Sequence, residues 1–105
     1  MSQLEDSFAF QLRAYKIKYE REVRVCKERR YRIDFVLPGN LGVEINGGTW
    51  AKGNSGHSSG KGLQRDADKG YEALKAGYRL LTLTGDDVRS GEGIQKVIHL
   101  LESKT

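Results

Sequence analysis

The chain has 105 residues, a formal net charge of +4, 37% hydrophobic residues and 30% charged residues, which predicts one domain over residues 1–105. Its single cysteine excludes an intrachain disulfide, and no apolar run reaches the roughly 18 residues that cross a bilayer. We therefore expect a cytoplasmic protein without a membrane partner, and the excess of lysine and arginine favours a polyanionic one.

The first half of the chain predicts one helix and three strands. A helix over about 3–17 is indicated by four apolar residues at helical spacing, Leu4, Phe8, Leu12 and Tyr15. Alternating apolar and polar residues predict strands over 21–26, 31–37 and 41–46. On the second strand, Ile33, Phe35 and Leu37 are expected to face one way. Pro38-Gly39-Asn40 is a strong turn signal, and a three-residue loop there would pair Leu37 with Leu41.

The second half begins with a long loop rich in glycine and serine over about 47–62, which we expect to be flexible. A helix over 63–77 follows, with Gly77 as its C-terminal cap. The helix is indicated by a stripe at helical spacing, formed by Leu63, Ala67, Tyr71 and Leu74. A strand over 78–84, a turn and a final amphipathic helix complete the order α-β-β-β-α-β-α. The predicted fold is α/β, with an antiparallel meander and a last strand that pairs in parallel after a crossover helix.

The hairpin over 31–46 places two acids side by side. In the three-residue-loop register, Asp34 lies opposite Glu44, with Cβ atoms roughly 4.5–5.5 Å apart. Like charges in this position repel, and a divalent cation bound between them would relieve the repulsion. Such a metal polarises a phosphodiester and activates water. Acids on the solvated face of a hairpin remain the ordinary alternative.

A set of motifs along the chain resembles a known nuclease family. They are Asp34, the run Glu44-Ile45-Asn46-Gly47-Gly48-Thr49-Trp50, then His57, Gly60, Gly62, Asp66, Lys69 and "AGYRLLTLTGDDV". Together they resemble single-domain phage-type nucleases of the VRR-NUC branch of the PD-(D/E)XK superfamily. A neighbouring branch, proteins related to very-short-patch-repair endonucleases, has a similar hairpin. The resemblance implies a restriction-endonuclease-like αβββαβ core, with a mixed central sheet flanked by helices.

The resemblance also implies a metal site that uses Mg²⁺ or Mn²⁺. Its ligands would be Asp34, Glu44 and the carbonyl of Ile45. Glu5 on the first helix is a further candidate ligand, and its alternative role is a capping box with Ser2.

Asn46 departs from the family pattern, which places a lysine at this position to stabilise charge on the phosphate. Three explanations remain open. Lys69 supplies the charge from the neighbouring helix, which we favour, or Lys61 supplies it from the loop, or the protein binds DNA and cuts it poorly. A lysine such as Lys69 on a helix face is also often simply solvated.

Further residues are candidates for contacts with DNA: Arg24, Arg32, Trp50, His57, Lys61 and Gln64. Trp50 could equally anchor the start of the loop, and a lone loop histidine such as His57 more often has no role. The resemblance implies a homodimer of phage or prophage origin that cleaves branched DNA such as Holliday junctions. The competing hypothesis is a DNA-binding module that has kept the nuclease fold without the activity.

Overall fold

The computed structural model describes residues 3–46 and 60–103. The first part contains helix α1 (Gln3–Ala14) and strands β1 (Glu20–Arg24), β2 (Arg32–Leu37) and β3 (Leu41–Asn46). The second part contains helix α2 (Gly60–Lys75), strand β4 (Arg79–Thr84), the short helix α3 (Gly85–Ser90) and helix α4 (Glu92–Glu102). The order αβββαβ at the start of the chain is therefore the predicted one.

The four strands form one mixed sheet in the order β1-β2-β3-β4. β1, β2 and β3 are an antiparallel meander, and β4 pairs with β3 in parallel after the α2 crossover, as predicted. Leu37 pairs with Leu41, so the turn between β2 and β3 is the predicted three-residue loop. Gly39 and Asn40 both take left-handed φ angles there, +78° and +59°, which these two residue types tolerate.

Helix α1 ends at Ala14, three residues earlier than predicted. Lys16 has a left-handed φ of +59°. The amides of Lys16 and Ile17 donate to the carbonyls of Arg13 and Leu12, at 3.0 and 2.9 Å. This is the Schellman arrangement, which closes the helix and turns the chain towards the sheet. No glycine marks the position, so the sequence contains no signal for the end of this helix.

Gly77 closes α2 in the same way, as predicted. Its φ is +94°, its amide donates to Leu74 O at 3.0 Å, and the amide of Tyr78 donates to Ala73 O at 2.9 Å. The helix begins at Gly60, three residues before the predicted start. Residues 47–59, the rest of the predicted loop, lie outside the described residues.

The stretch after β4 was predicted as a turn and is helix α3 instead. Thr84 is its N-cap: the Thr84 hydroxyl accepts from the Asp87 amide at 3.1 Å, and the Asp87 carboxylate accepts from the Thr84 amide at 2.9 Å. This reciprocal capping box satisfies two helix-terminal donors. The Thr84 amide also holds the pKa of Asp87 below its usual value. Six residues are too few for a clear helical periodicity, which is why the pattern indicated only a turn.

The main core lies between one face of the sheet and helices α1, α3 and α4. Its largest side chain from the sheet is Phe35, whose ring packs edge-on against those of Phe8 and Tyr19. The distances between ring centroids are 5.3 and 5.6 Å. The buried members of this core are Phe8, Ala9, Leu12, Phe35, Leu37, Leu41, Val43, Leu83, Val88, Ile94 and Val97.

Helix α2 covers the opposite face, over a smaller cluster of Val25, Tyr31, Ile33 and Ala73. The prediction that Ile33 points the same way as Phe35 is wrong. The Ile33 side chain lies beside Gly42: a Cβ added to Gly42 would be 3.1 Å from Ile33 Cγ2. Gly42 is paired with Val36 on the neighbouring strand. Ile33 and Val36 therefore share the α2 face although three positions separate them. A strand with strict alternation cannot do this, so β2 changes its facing around Asp34.

The stripe that indicated α2 does lie on a helix, but its large apolar members do not face the sheet. Leu63, Tyr71 and Leu74 are 61%, 62% and 71% exposed. The helix instead turns Ala73 and Lys69 towards the sheet. No helix within residues 3–46 and 60–103 has the length and apolar character needed to cross a membrane.

Candidate active site

The centre of the site lies on the β2–β3 hairpin, towards its open end and away from the turn. The paired positions Phe35–Val43, Val36–Gly42 and Leu37–Leu41 place Asp34 and Glu44 at the next step. The Ile45 amide donates to Asp34 Oδ2 at 2.8 Å, which fixes that carboxylate beside β3. Val43 and Ile45 pack into the main core, so Glu44 between them projects to the α2 face. The two acids thus lie together, as the turn register predicted.

Lys69 reaches this carboxylate pair from α2. Its Nζ donates to Glu44 Oε1 at 2.9 Å and lies 2.7 Å from Oε2. Both side chains are 21% exposed, so the ion pair is largely withdrawn from water. A pair of this kind is screened much less than a surface pair. The positive charge that Asn46 lacks is therefore present at the same carboxylate, delivered from a different element.

Burial raises the pKa of both acids. For Asp34, loss of solvent is the main cause, opposed by the hydrogen bond from Ile45 and the charge of Lys69. For Glu44, burial again dominates, opposed by the hydrogen bond and the charge of Lys69, while the negative charge of Asp34 raises the pKa further. The protein thus holds two carboxylates where their ionised forms are disfavoured, as is common at functional sites.

Two observations test whether these residues fit a divalent cation. Glu44 Oε2 is buried and lies 2.7 Å from the Lys69 ammonium, but it accepts no hydrogen bond of good geometry from the described residues, because that ammonium directs its hydrogen bond to Oε1. A bound cation would also favour the ionised forms that burial disfavours at both carboxylates, and it would offset the negative charge of Asp34 that raises the pKa of Glu44. Within residues 3–46 and 60–103, however, no three histidine, cysteine, aspartate or glutamate side chains form a ready cluster. The donor set fits Mg²⁺ or Mn²⁺ with two carboxylates and other oxygen ligands, such as main-chain carbonyl, water and phosphate.

A cleft of about 310 Å³ opens beside Glu44. It is lined by Glu44, Ile45, Asn46, Asp66, Lys69, Gly70, Leu80 and Thr82. Asn46 lies at its rim, exposed, two residues beyond Glu44 on the same side of β3. A larger hollow of about 640 Å³ lies at the far end of the sheet, around the turn at Pro38 and Gly39, and it contains neither Asp34 nor Glu44. Chemistry rather than size therefore selects the smaller cleft.

Glu5 approaches the site from α1. Its carboxylate lies 3.6 Å from Arg21 Nη2. Burial raises the pKa of Glu5, and the negative charges of Asp34 and Glu22 raise it further. The field of Asp34 thus reaches Glu5, which agrees with its place near the predicted metal site. Its alternative partner, Ser2, lies outside the described residues.

The predicted DNA contacts are dispersed. Arg24 and Arg32 are exposed and directly paired across β1 and β2, and Arg32 lies 3.9 Å from Glu22. Gln64 donates to Asp68 at 2.9 Å and does not line the cleft. Trp50 and His57 lie outside the described residues, and the position of Lys61 is described only as part of the α2 backbone.

Three residues near the site were not among the sequence candidates. Thr82 is the parallel partner of Glu44 and lines the cleft. Asp66, which the sequence analysis named only as part of the family resemblance, lines it from α2. Arg21 pairs with Glu5 and Asp6. Only Asp66 had a sequence signal, its spacing of three from Lys69; the other two depend on strand pairing between distant segments.

Comparison with solved structures finds a similar fold. The chain folds as a mixed four-stranded sheet flanked by helices. A solved structure with this fold is the catalytic domain of the homing endonuclease I-Bth0305I, with a TM-score of 0.65 and 24% sequence identity over 94% of this chain and 92% of that one. A scan of protein-family models and a search of curated proteins give no match.

Proposed function

We propose that this protein is a metal-dependent endonuclease that hydrolyses DNA phosphodiester bonds. The observation that carries the proposal is the position of Lys69, whose ammonium lies 2.7–2.9 Å from both oxygens of Glu44, next to Asp34. Glu44 and Lys69 at one cleft, with Asp34 beside Glu44, provide the groups that the VRR-NUC resemblance requires, although the lysine is not at the motif position. The homing endonuclease fold supports the same class of activity.

Each side chain at the site would have a separate role. Asp34, Glu44 and the Ile45 carbonyl would hold Mg²⁺ or Mn²⁺, with Glu5 as a further ligand or as a base acting through water. The bound ion would supply Lewis-acid polarisation of the phosphate and a more acidic water. Lys69 would stabilise the negative charge that develops on the phosphate. The Asn46 amide would donate a hydrogen bond at the rim of the cleft.

The preferred substrate in this proposal is branched DNA such as a Holliday junction, which follows from the family resemblance. Cutting two strands of a junction requires two active sites, and a symmetric dimer provides them at a fixed separation. The exposed apolar residues of α2, Leu63, Tyr71 and Leu74, could contribute to such a dimer. Light scattering of the pure protein would report its mass, and a monomer at all concentrations would remove the dimer from the proposal.

The Lys69–Glu44 pair also supports a second candidate function. If Lys69 neutralises Glu44 in place of a metal, the protein would bind DNA without cutting it. The missing motif lysine at position 46 favours this reading. The two functions differ in one respect that is simple to measure, the metal-dependent cleavage of DNA.

The decisive experiment measures cleavage of labelled four-way junction, flap and linear duplex with Mg²⁺, with Mn²⁺ and with EDTA. Wild type is compared with Glu44→Gln. Glu72→Gln is a matched control, because Glu72 is 20% exposed and pairs with Lys75 at 3.3 Å on the same helix as Lys69. The nuclease proposal expects metal-dependent cutting that is lost in Glu44→Gln and kept in Glu72→Gln. Tight binding of wild type without any cutting would establish the second function instead.

A further inference from the structure

Tyr31 brings two arginines from different parts of the chain to one place. The Tyr31 ring is buried, with 3% exposure, immediately before β2. The guanidinium carbon of Arg29 lies 5.5 Å from the ring centroid, and that of Arg65, on α2, lies 5.2 Å from it. Arg29 Nη1 also donates to the Tyr31 hydroxyl at 2.7 Å. A fixed aromatic ring thus positions two exposed guanidinium groups.

The charges of this group do not balance. Asp68 lies 3.8 Å from Arg29, and it also accepts a hydrogen bond from Gln64 at 2.9 Å. Two guanidinium groups held against the same ring repel each other. An additional anion would relieve this repulsion, and planar guanidinium groups bind phosphate oxygens in pairs.

The position along α2 connects this group to the active site. Arg65 precedes Lys69 by four residues, so the two lie on one side of the helix about 6 Å apart along its axis. Nucleotides of a duplex strand rise about 3.4 Å each, so one to two steps cover this distance. A strand whose phosphate lies at Lys69 would pass Arg65 within that many nucleotides.

We propose that Arg29 and Arg65, held by Tyr31, form a subsite for a DNA backbone phosphate one to two nucleotides from the bond at Lys69. The inference rests on the proposed function for its substrate and adds the direction in which the strand leaves the cleft, towards the N-terminal part of α2. The contact is to the backbone, so it gives affinity and register without selecting a base sequence.

The test is DNA binding measured by fluorescence anisotropy in EDTA, over a series of salt concentrations. The variants are Arg29→Gln, Arg65→Gln and Tyr31→Phe. The control is Arg13→Gln, because Arg13 also donates to a tyrosine hydroxyl, that of Tyr19 at 2.8 Å, but on α1. Circular dichroism verifies that each variant is folded. Arg65→Lys keeps the charge and loses the planar group.

Loss of either arginine should weaken binding on the order of five- to tenfold at 0.1 M salt and lower the slope of log K against log salt by about 0.9, for all sequences tested. Arg65→Lys should keep most of the slope. Tyr31→Phe should give a smaller loss than Arg29→Gln, because it frees the Arg29 side chain without removing its charge. Arg13→Gln should leave both quantities unchanged.

The outcomes separate this subsite from the nuclease proposal. If the wild type never cuts DNA but the arginine variants have reduced salt slopes, the result would support the subsite and overturn the nuclease. A wild type that cuts, with arginine variants that bind like Arg13→Gln, would overturn the subsite and leave the nuclease. A wild type that binds no DNA would overturn both.

Discussion

The two faces of the sheet differ in what they bury. On the side of α1, α3 and α4, eleven buried residues form the main core, and all of them are apolar. On the side of α2, four residues form the buried cluster among those described, and the helix approaches the sheet with Lys69 as well as Ala73. The same four strands thus supply a stabilising face and a face that carries charged chemistry.

This division explains why the acid pair is tolerated. Each half-buried carboxylate has a raised pKa, so its charge is held at a cost in folding free energy. The large core on the opposite face offsets that cost. The comparison predicts that substitutions in the main core change stability most, whereas substitutions on the α2 face change activity, and in one case increase stability.

The largest stability effect is expected for Phe35→Ala. The Phe35 ring is fully buried, contacts Phe8 and Tyr19, and lies 5.2 Å from the Arg21 guanidinium. Removing it should lower the free energy of unfolding by about 3–5 kcal/mol, measured by urea denaturation. That is a large share of the total for a small domain. A loss below about 1 kcal/mol would show that the main core does not carry the stability assigned to it.

Lys69→Met should cause a large but incomplete loss of activity. It removes the ammonium at Glu44 and, because that ammonium lowers the pKa of Glu44, leaves the carboxyl group harder to ionise. We expect cleavage to fall about 10²–10³-fold in single-turnover assays, the usual effect of removing a group that stabilises transition-state charge. Lys75→Met is the matched control, since Lys75 pairs with Glu72 on the solvent side of α2. Equal activity of the two variants would contradict the role of Lys69.

Asp34→Asn should increase stability while it removes activity. Asparagine can still accept the hydrogen bond from Ile45, and it carries no charge to bury. The expected gain is about 1 kcal/mol at neutral pH, by urea denaturation. Asp86→Asn is the control, because the Asp86 side chain is 92% exposed and should change stability by less than about 0.5 kcal/mol.

The gain from Asp34→Asn should depend on pH with a defined sign. The pKa of Asp34 is raised in the folded protein, so the folded state binds its proton more readily than the unfolded state. The penalty for the charge is therefore complete above the folded pKa and disappears as pH falls towards the ordinary value of 3.8. The difference between wild type and Asp34→Asn should shrink over the same range. A difference that grows on acidification would contradict the burial of this charge.

The sequence predicted what local signals determine. The Pro38–Asn40 turn sets the hairpin register, and the α2 crossover between β3 and β4 sets their parallel pairing. Both are consequences of short-range geometry or of a general topological rule, and the structure confirms them. The proximity of Asp34 and Glu44 follows from the same register.

The orientation of α2 could not be read in this way. Leu63, Tyr71 and Leu74 make the most apolar stripe of the helix, yet they face solvent. The hydrophobic pattern shows which face of the helix is apolar. It does not show that the face with Lys69 is the one that packs against the sheet. The Arg29–Tyr31–Arg65 group was also invisible, because it joins residues whose proximity depends on how α2 lies across β2.

The smallest expected effect sharpens the contrast between the two faces. Lys16 closes α1 with a φ of +59°, a conformation that glycine adopts without strain. Lys16→Gly should therefore raise the free energy of unfolding by about 0.5–1 kcal/mol in urea denaturation. Because Lys16 does not line the cleft at Glu44, cleavage should be unchanged. Asp34→Asn and Lys16→Gly would then both be more stable than wild type, one inactive and one active. If both lost activity, loss of local flexibility rather than loss of the Asp34 carboxylate would be the cause, and the division between a stabilising face and a functional face would fail.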